Sequence, residues 1–286
     1  MIRRYSVAVF FALACAISWG LWAPLWLPWF GVSGLPILPF HHAFGALGPI
    51  GAALVTAALE SGWAGARDLL RRLVLIRGRL VWLAVALFGP FALVALAVGA
   101  ASLFGADGIP PAGLGRSEEL PQSSLLGLLA YNVLTFGVGE EVGWRGFALP
   151  RLQTRHSALV ASLLLTVGWA LWHTPLFLYR AGFASMNAGG VAGWFFGLVT
   201  GAILLTWLYN ESRGSLLVVA LFHAAVDVAF TSAATSPFVV NATGALMTFC
   251  GIAVLVAAGP RYLSRRGKMI QVYEGESVTA FFGRRP

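Results

Sequence analysis

Five ionisable side chains lie where an apolar chain has least reason to carry them: Glu140, Glu141, His173, His223 and Asp227, with Arg145 beside the first two. All fall within long apolar runs. An ionised side chain near a bilayer centre costs about 2.5–3.5 kcal/mol even on a lenient insertion scale, so such residues are read as functional and as facing a protein interior. Glu141 and Arg145 are four apart, share a helix face and can pair. Glu140 points about 100° away from Glu141, which leaves it the carboxylate free of that pair. A carboxylate in a low-dielectric site can act as a general base on water. Trp169 and His173 are four apart, and so are His223 and Asp227, where the aspartate can orient the histidine or share its proton. If the three spans pack together, one pocket can activate water, receive a tetrahedral oxyanion and protonate a leaving amine. His173 and His223 with a carboxylate could equally ligate a divalent metal such as zinc.

The elements that must hold these groups are membrane helices. The chain has 286 residues, 58% hydrophobic and 10% charged, with mean hydropathy +0.80. A soluble domain carries about 25% charged residues. Barrel-type alternation is absent, so the spans are helical, each about 20 residues long. The fold class expected is all-α and polytopic, with about eight transmembrane helices near 5–30, 39–59, 80–104, 124 through the Glu-Glu pair, 157–178, 191–210, 215–234 and 238–258. The first run is too long for a signal peptide and continues through Trp19, Trp22, Trp26 and Trp29. Residues 63–76 repeat apolar positions at helical spacing, with Arg67, Arg71 and Arg72 on the other side, and read as an amphipathic surface helix. The whole chain, 1–286, is read as one integral membrane domain, with a chemical core at 124–230 and a basic tail at 260–286.

The net charge of +8 sits at helix ends, which argues against nucleic acid as a partner and for a lipid bilayer. With the N-terminus in the cytoplasm, all but two of the 19 Lys and Arg residues, Arg116 and Arg180, fall on the cytoplasmic side. The expected location is the cell membrane, with both termini cytoplasmic. Cys15 and Cys250 suggest neither a disulfide framework nor a redox site. His41 and His42 read as interfacial polar residues. Gly137, Gly139 and Gly143 thin the helix around the acid pair and admit a close neighbour. An alternative without chemistry is a proton-coupled carrier, or an immunity or scaffold protein that keeps the pocket without turnover.

Three segments together carry a resemblance. Glu140-Glu141-Val142-Gly143-Trp144-Arg145, then Trp169-Ala170-Leu171-Trp172-His173, then His223-Ala224-Ala225-Val226-Asp227 resemble, in order and separation, the Glu-Glu-x-x-x-Arg, Phe-x-x-x-His and His-x-x-x-Asn/Asp motifs of the CAAX-protease-like (CPBP or Abi) family of intramembrane proteases. The resemblance implies an endopeptidase acting on a peptide or protein substrate at the membrane. Glu140 and His173 would activate water, and His223 and Asp227 would support the oxyanion. The family is also labelled metalloprotease, but no His-Glu-x-x-His signature is present, which favours glutamate-activated water. Trp169 stands where the family has phenylalanine, and Asp227 takes the acidic option of the third motif.

Overall fold

The computed structural model describes residues 2–74, 80–107, 115–232, 236–274 and 277–283. Its main elements are helices α1 (Ile2–Leu21), α2 (Leu47–Val74), α3 (Val81–Leu103), α4 (Leu125–Arg155), α5 (Ala158–Trp172), α6 (Ala188–Glu211), α7 (Leu216–Thr231) and α8 (Pro237–Ala258), then strands β1 (Lys268–Glu274) and β2 (Ser277–Gly283). Among the described residues, seven apolar helices are long enough to cross a membrane. The eighth, α7, has 16 residues, short of the usual span, but most of it is buried among the others. This is the all-α polytopic architecture expected of an integral membrane protein.

Short polar residues mark where the chain leaves apolar surroundings. Ser124, Ser157, Asn187, Ser215 and Ser236 each precede a helix and accept a hydrogen bond from a backbone N–H three residues on. Such caps satisfy donors that the first helical turn leaves without partners. Within α2, Ser61 and Gly62 leave helical geometry, Gly62 at φ +62°. The break separates the core-facing stretch from 63–74, where Ala66, Leu69 and Arg72 are buried while Trp63, Arg67, Arg71 and Val74 are exposed. A helix is therefore present over the described part of 63–76, but its faces differ from the expectation: Arg72, expected on the polar side with Arg67 and Arg71, is buried near Leu69, and Trp63 is exposed; Ile76 lies outside the described residues.

Two features differ from the sequence reading. The acid pair lies midway along α4, not at its end, because the helix continues to Arg155. It continues by changing pitch: Val133–Gly137 and Val142–Ala148 are π-helical, on either side of a single α turn, Val138–Glu141. The tail, expected to be merely basic and polar, contains an antiparallel hairpin, β1 with β2. The hairpin docks on the last turns of α4. Gln153 Nε2 donates to the Met269 carbonyl at 2.8 Å, and the Gln271 N–H donates to Thr154 Oγ1 at 3.0 Å. Asn210 joins α6 to this contact, donating to Gln153 Oε1 at 2.9 Å and accepting from the Met269 N–H at 3.0 Å.

Glu60, at the end of the core-facing part of α2, is buried against Arg151 of α4, whose guanidinium lies over the Phe147 ring at 3.5 Å. Removing one member of a buried ion pair strands the other charge, at a cost of about 3–5 kcal/mol. Arg151→Ala is thus expected to lower thermal stability in detergent markedly. Arg71→Ala, which removes an exposed charge, is expected to leave it nearly unchanged. Comparing the two melting curves by fluorescence-detected size exclusion checks this, and equal melting would contradict it.

Candidate active site

The three motif segments meet in the bundle interior. The closeness of α4 to its neighbours follows from its glycines. A Cβ at Gly137 would sit 2.5 Å from the Ala220 carbonyl oxygen of α7. At Gly139 it would sit 2.5 Å from the Ala46 oxygen, and at Gly143 2.7 Å from Pro49 of α2. The expectation that these glycines admit a close neighbour is met at all three positions.

Glu141 and Arg145 form the expected pair, Nη1 to Oε1 at 2.8 Å, both side chains fully buried at 0% exposure. The same oxygen is 2.7 Å from His223 Nδ1. The carboxylate thus joins α4 to α7 through one atom. Asp227, by contrast, lies 3.8 Å from His223 Nε2, beyond hydrogen-bond length, with its side chain 25% exposed. The residue that orients His223 is therefore Glu141 rather than Asp227. The physical reason is that Glu141 Oε1 comes within hydrogen-bond distance of His223 across the α4–α7 contact, whereas Asp227, four residues along the same helix as His223, does not.

Among the described residues, Glu140 has no basic partner at contact distance. Its Oε2 accepts two indole N–H groups, Trp144 Nε1 at 3.0 Å and Trp169 Nε1 at 2.7 Å. Trp169 is the residue around which the site is packed. Its ring is 5.7 Å from His173 and 5.6 Å from His223, and the Arg145 guanidinium lies over it at 4.8 Å. Arg145 Nε and Nη2 have no hydrogen-bond partner, and this ring face is the favourable surface available to them. Sequence reasoning valued Trp169 only as an aromatic neighbour of His173 and passed over Trp144. The available signal was that both are tryptophans, with an N–H that phenylalanine lacks.

His173 ends α5, and its Nδ1 is 2.7 Å from the Trp169 carbonyl oxygen. A carbonyl only accepts, so Nδ1 carries the proton and Nε2 keeps its lone pair when the ring is neutral. Trp172, Phe183 and Trp194 surround the ring at 4.8, 6.1 and 5.7 Å. His42 hydrogen-bonds Tyr179 at 2.7 Å and stacks on Trp22.

Among the described residues, no group of three or more His, Cys, Asp or Glu side chains could hold a metal. The histidine and carboxylate ligand set considered from the sequence is thus not assembled among them, and no step is routed through a metal. On the far side of Gly139, an apolar cavity of about 380 Å³ opens between the start of α2 and α4, lined by Phe40, Phe44, Leu47, Tyr131, Leu134 and Val138.

Comparison with known proteins bears on the segment that carries these residues. Residues 122–229 match the family model described as Type II CAAX prenyl endopeptidase Rce1-like. That segment, somewhat over a third of the chain, is similar to the CAAX-protease-like family. A curated protein named CAAX prenyl protease 2, from Methanococcus maripaludis, is 31% identical over 93 residues. That alignment covers 31% of this chain and 34% of the relative, so the chain spans about a third of the length of the curated relative it matches. Residues 122–229, matched by the family model, include Glu140, Glu141, Arg145, His173, His223 and Asp227.

The pairing predicts how substitutions separate stability from chemistry. Glu141→Ala strands the buried Arg145 and frees His223, and is expected to cost about 3–5 kcal/mol. Glu140→Gln keeps an oxygen for the two indoles and is expected to melt within a few degrees of the parent. The two melting temperatures, measured in one detergent, test this. A Glu140→Gln protein as unstable as Glu141→Ala would contradict it.

Proposed function

We propose that this chain is an intramembrane endopeptidase that hydrolyses a peptide bond of a membrane-associated or lipid-modified substrate with water activated by Glu140. The observation that carries the proposal is the convergence of three motif segments from three helices around Trp169, which donates to a carboxylate with no basic partner among the described residues and whose carbonyl and ring lie against a histidine.

Glu140 takes a proton from water as the water oxygen bonds to the scissile carbonyl carbon. His173 Nε2, with Nδ1–H held by the Trp169 carbonyl, accepts a hydrogen bond from the same water and orients it. The carbonyl electron pair moves onto oxygen. His223, held through Nδ1 by Glu141, offers its Nε2 edge to that oxyanion, and Arg145 supplies positive charge behind it. The proton then passes to the leaving nitrogen as the carbon–nitrogen bond breaks. Asp227 lies 3.8 Å from His223 Nε2, on the side of the ring away from Glu141.

Two further observations support the finer parts of the reading. The apolar cavity beside Gly139 has the size and lining to take a hydrocarbon chain, which favours a lipid-modified substrate, and the relative's name points the same way. The distribution of Lys and Arg favours a cell-membrane protein with both termini in the cytoplasm.

Purified protein incubated with a quenched, prenylated peptide is expected to cleave it. Glu140→Gln and His173→Ala should each abolish cleavage while the protein elutes and melts as folded. A strong chelator should leave the parent activity intact. Full activity in either variant would defeat the proposal, and loss with chelator followed by rescue with zinc would defeat the glutamate mechanism. For topology, a reporter fused to the C-terminus is expected to read as cytoplasmic in intact cells, and an external reading would overturn the orientation.

A further inference from the structure

Two indole N–H groups from different helices reach the same oxygen of Glu140, and this determines more than its burial. An indole N–H only donates. Trp144 and Trp169 therefore cannot take or pass the proton of a reacting water; they can only hold an acceptor in place. Both rings are themselves immobilised. Trp144 is fully buried, edge-on to Phe10 at 5.3 Å, stacked on Phe11 at 5.8 Å and against Trp172 at 6.0 Å. Trp169 is held between Arg145, His173 and His223. Both hydrogen bonds end on Oε2, and no described residue donates one to Oε1.

We propose that Trp144 and Trp169 are positioning residues that fix Oε2 of Glu140 and so assign Oε1 as the oxygen that receives the proton of the attacking water. The inference rests on the endopeptidase reading. In the step, one O–H bond of water breaks, its proton goes to Oε1, the water oxygen bonds to the carbonyl carbon, and the carbonyl electron pair moves to the oxyanion. With Oε2 held, the carboxylate does not rotate about its terminal bond, and the base stays aligned with a water near His173. Trp169 stands where the resemblance leads one to expect phenylalanine, which supplies a ring but no N–H. This chain thus adds a second donor to the one from Trp144.

The test uses the full-length protein in detergent and the quenched, prenylated peptide. Trp169→Phe and Trp144→Phe are each expected to lower kcat about 10- to 100-fold, as misplacement of a reacting group does, with KM within about twofold. The double variant should fall further. Site-specific replacement of Trp169 by β-(3-benzothienyl)alanine, which keeps the bicyclic ring and lacks the N–H, should behave like Trp169→Phe. A benzothienyl or Trp169→Phe protein with kcat within twofold of the parent overturns the proposal, because the ring alone would then suffice.

Should the variants fail to fold, the indole ¹⁵N–¹H resonances of the parent and of Glu140→Ala decide it. Both the Trp144 and Trp169 signals should move when the carboxylate is removed, and unmoved signals overturn the proposal. A parent protein that cleaves nothing overturns the endopeptidase reading instead, and the indole signals still decide whether the two tryptophans hold the carboxylate.

Discussion

A single carboxylate oxygen, Oε1 of Glu141, carries the constraint on which the site depends. It accepts from Arg145 in its own helix and lies within hydrogen-bond distance of His223 in α7, with every partner buried. Taking charges out of water is costly, and mutual attraction offsets the cost only where geometry is close and the partners are fixed. The surroundings of α4 follow from that requirement. Glycines at 137, 139 and 143 bring α7, the turn before α2, and α2 itself against it. The Trp169 face covers the part of the guanidinium that has no hydrogen-bond partner.

Because Glu141 absorbs the basic groups, Glu140 is left without one. Neighbouring carboxylates one residue apart thereby acquire different work. Glu141 ties helices together, while Glu140 keeps one oxygen free of protein donors and its other oxygen held by neutral N–H groups. The change of helical pitch on both sides of Glu140 and Glu141 makes this separation possible. π-Helical turns of this kind recur at functional sites because they re-aim side chains that a regular helix would direct elsewhere. The aromatic packing from Phe10 and Phe11 through Trp144 to Trp172 extends the same rigidity to α1, which has no ionisable group at the site.

At the end of the bundle remote from Ser124, a second set of polar contacts closes the structure. Glu60 with Arg151, Gln153 with Asn210, and the docked hairpin satisfy one another where α2, α4 and α6 end. Buried polar groups in such a network gain from being fully partnered, and a complete network specifies one arrangement of helix ends. The continuation of α4 to Arg155, beyond the acid pair, brings Arg151 and Gln153 to this layer.

Much of this was legible in the chain itself. Apolar run lengths determined the membrane class and nearly every span, because each helix must cross about 30 Å of hydrocarbon. Spacing of four determined the Glu141–Arg145 pair, because residues four apart share a helix face. The order of three motif segments carried the family resemblance, which the comparison over residues 122–229 matches. Tertiary structure alone decided that Glu141, not Asp227, orients His223, since that choice depends on the turn of α4 against α7 and not on distance along either helix. It alone decided that indoles hold Glu140, because an N–H finds its acceptor only after packing has brought α5 to α4. The hairpin went unread for a related reason. Lys268–Glu274 and Ser277–Gly283 are rich in strand-forming residues, but what they dock against, Gln153, Thr154 and Asn210, comes from two distant helices, and only the fold brings those residues to one surface.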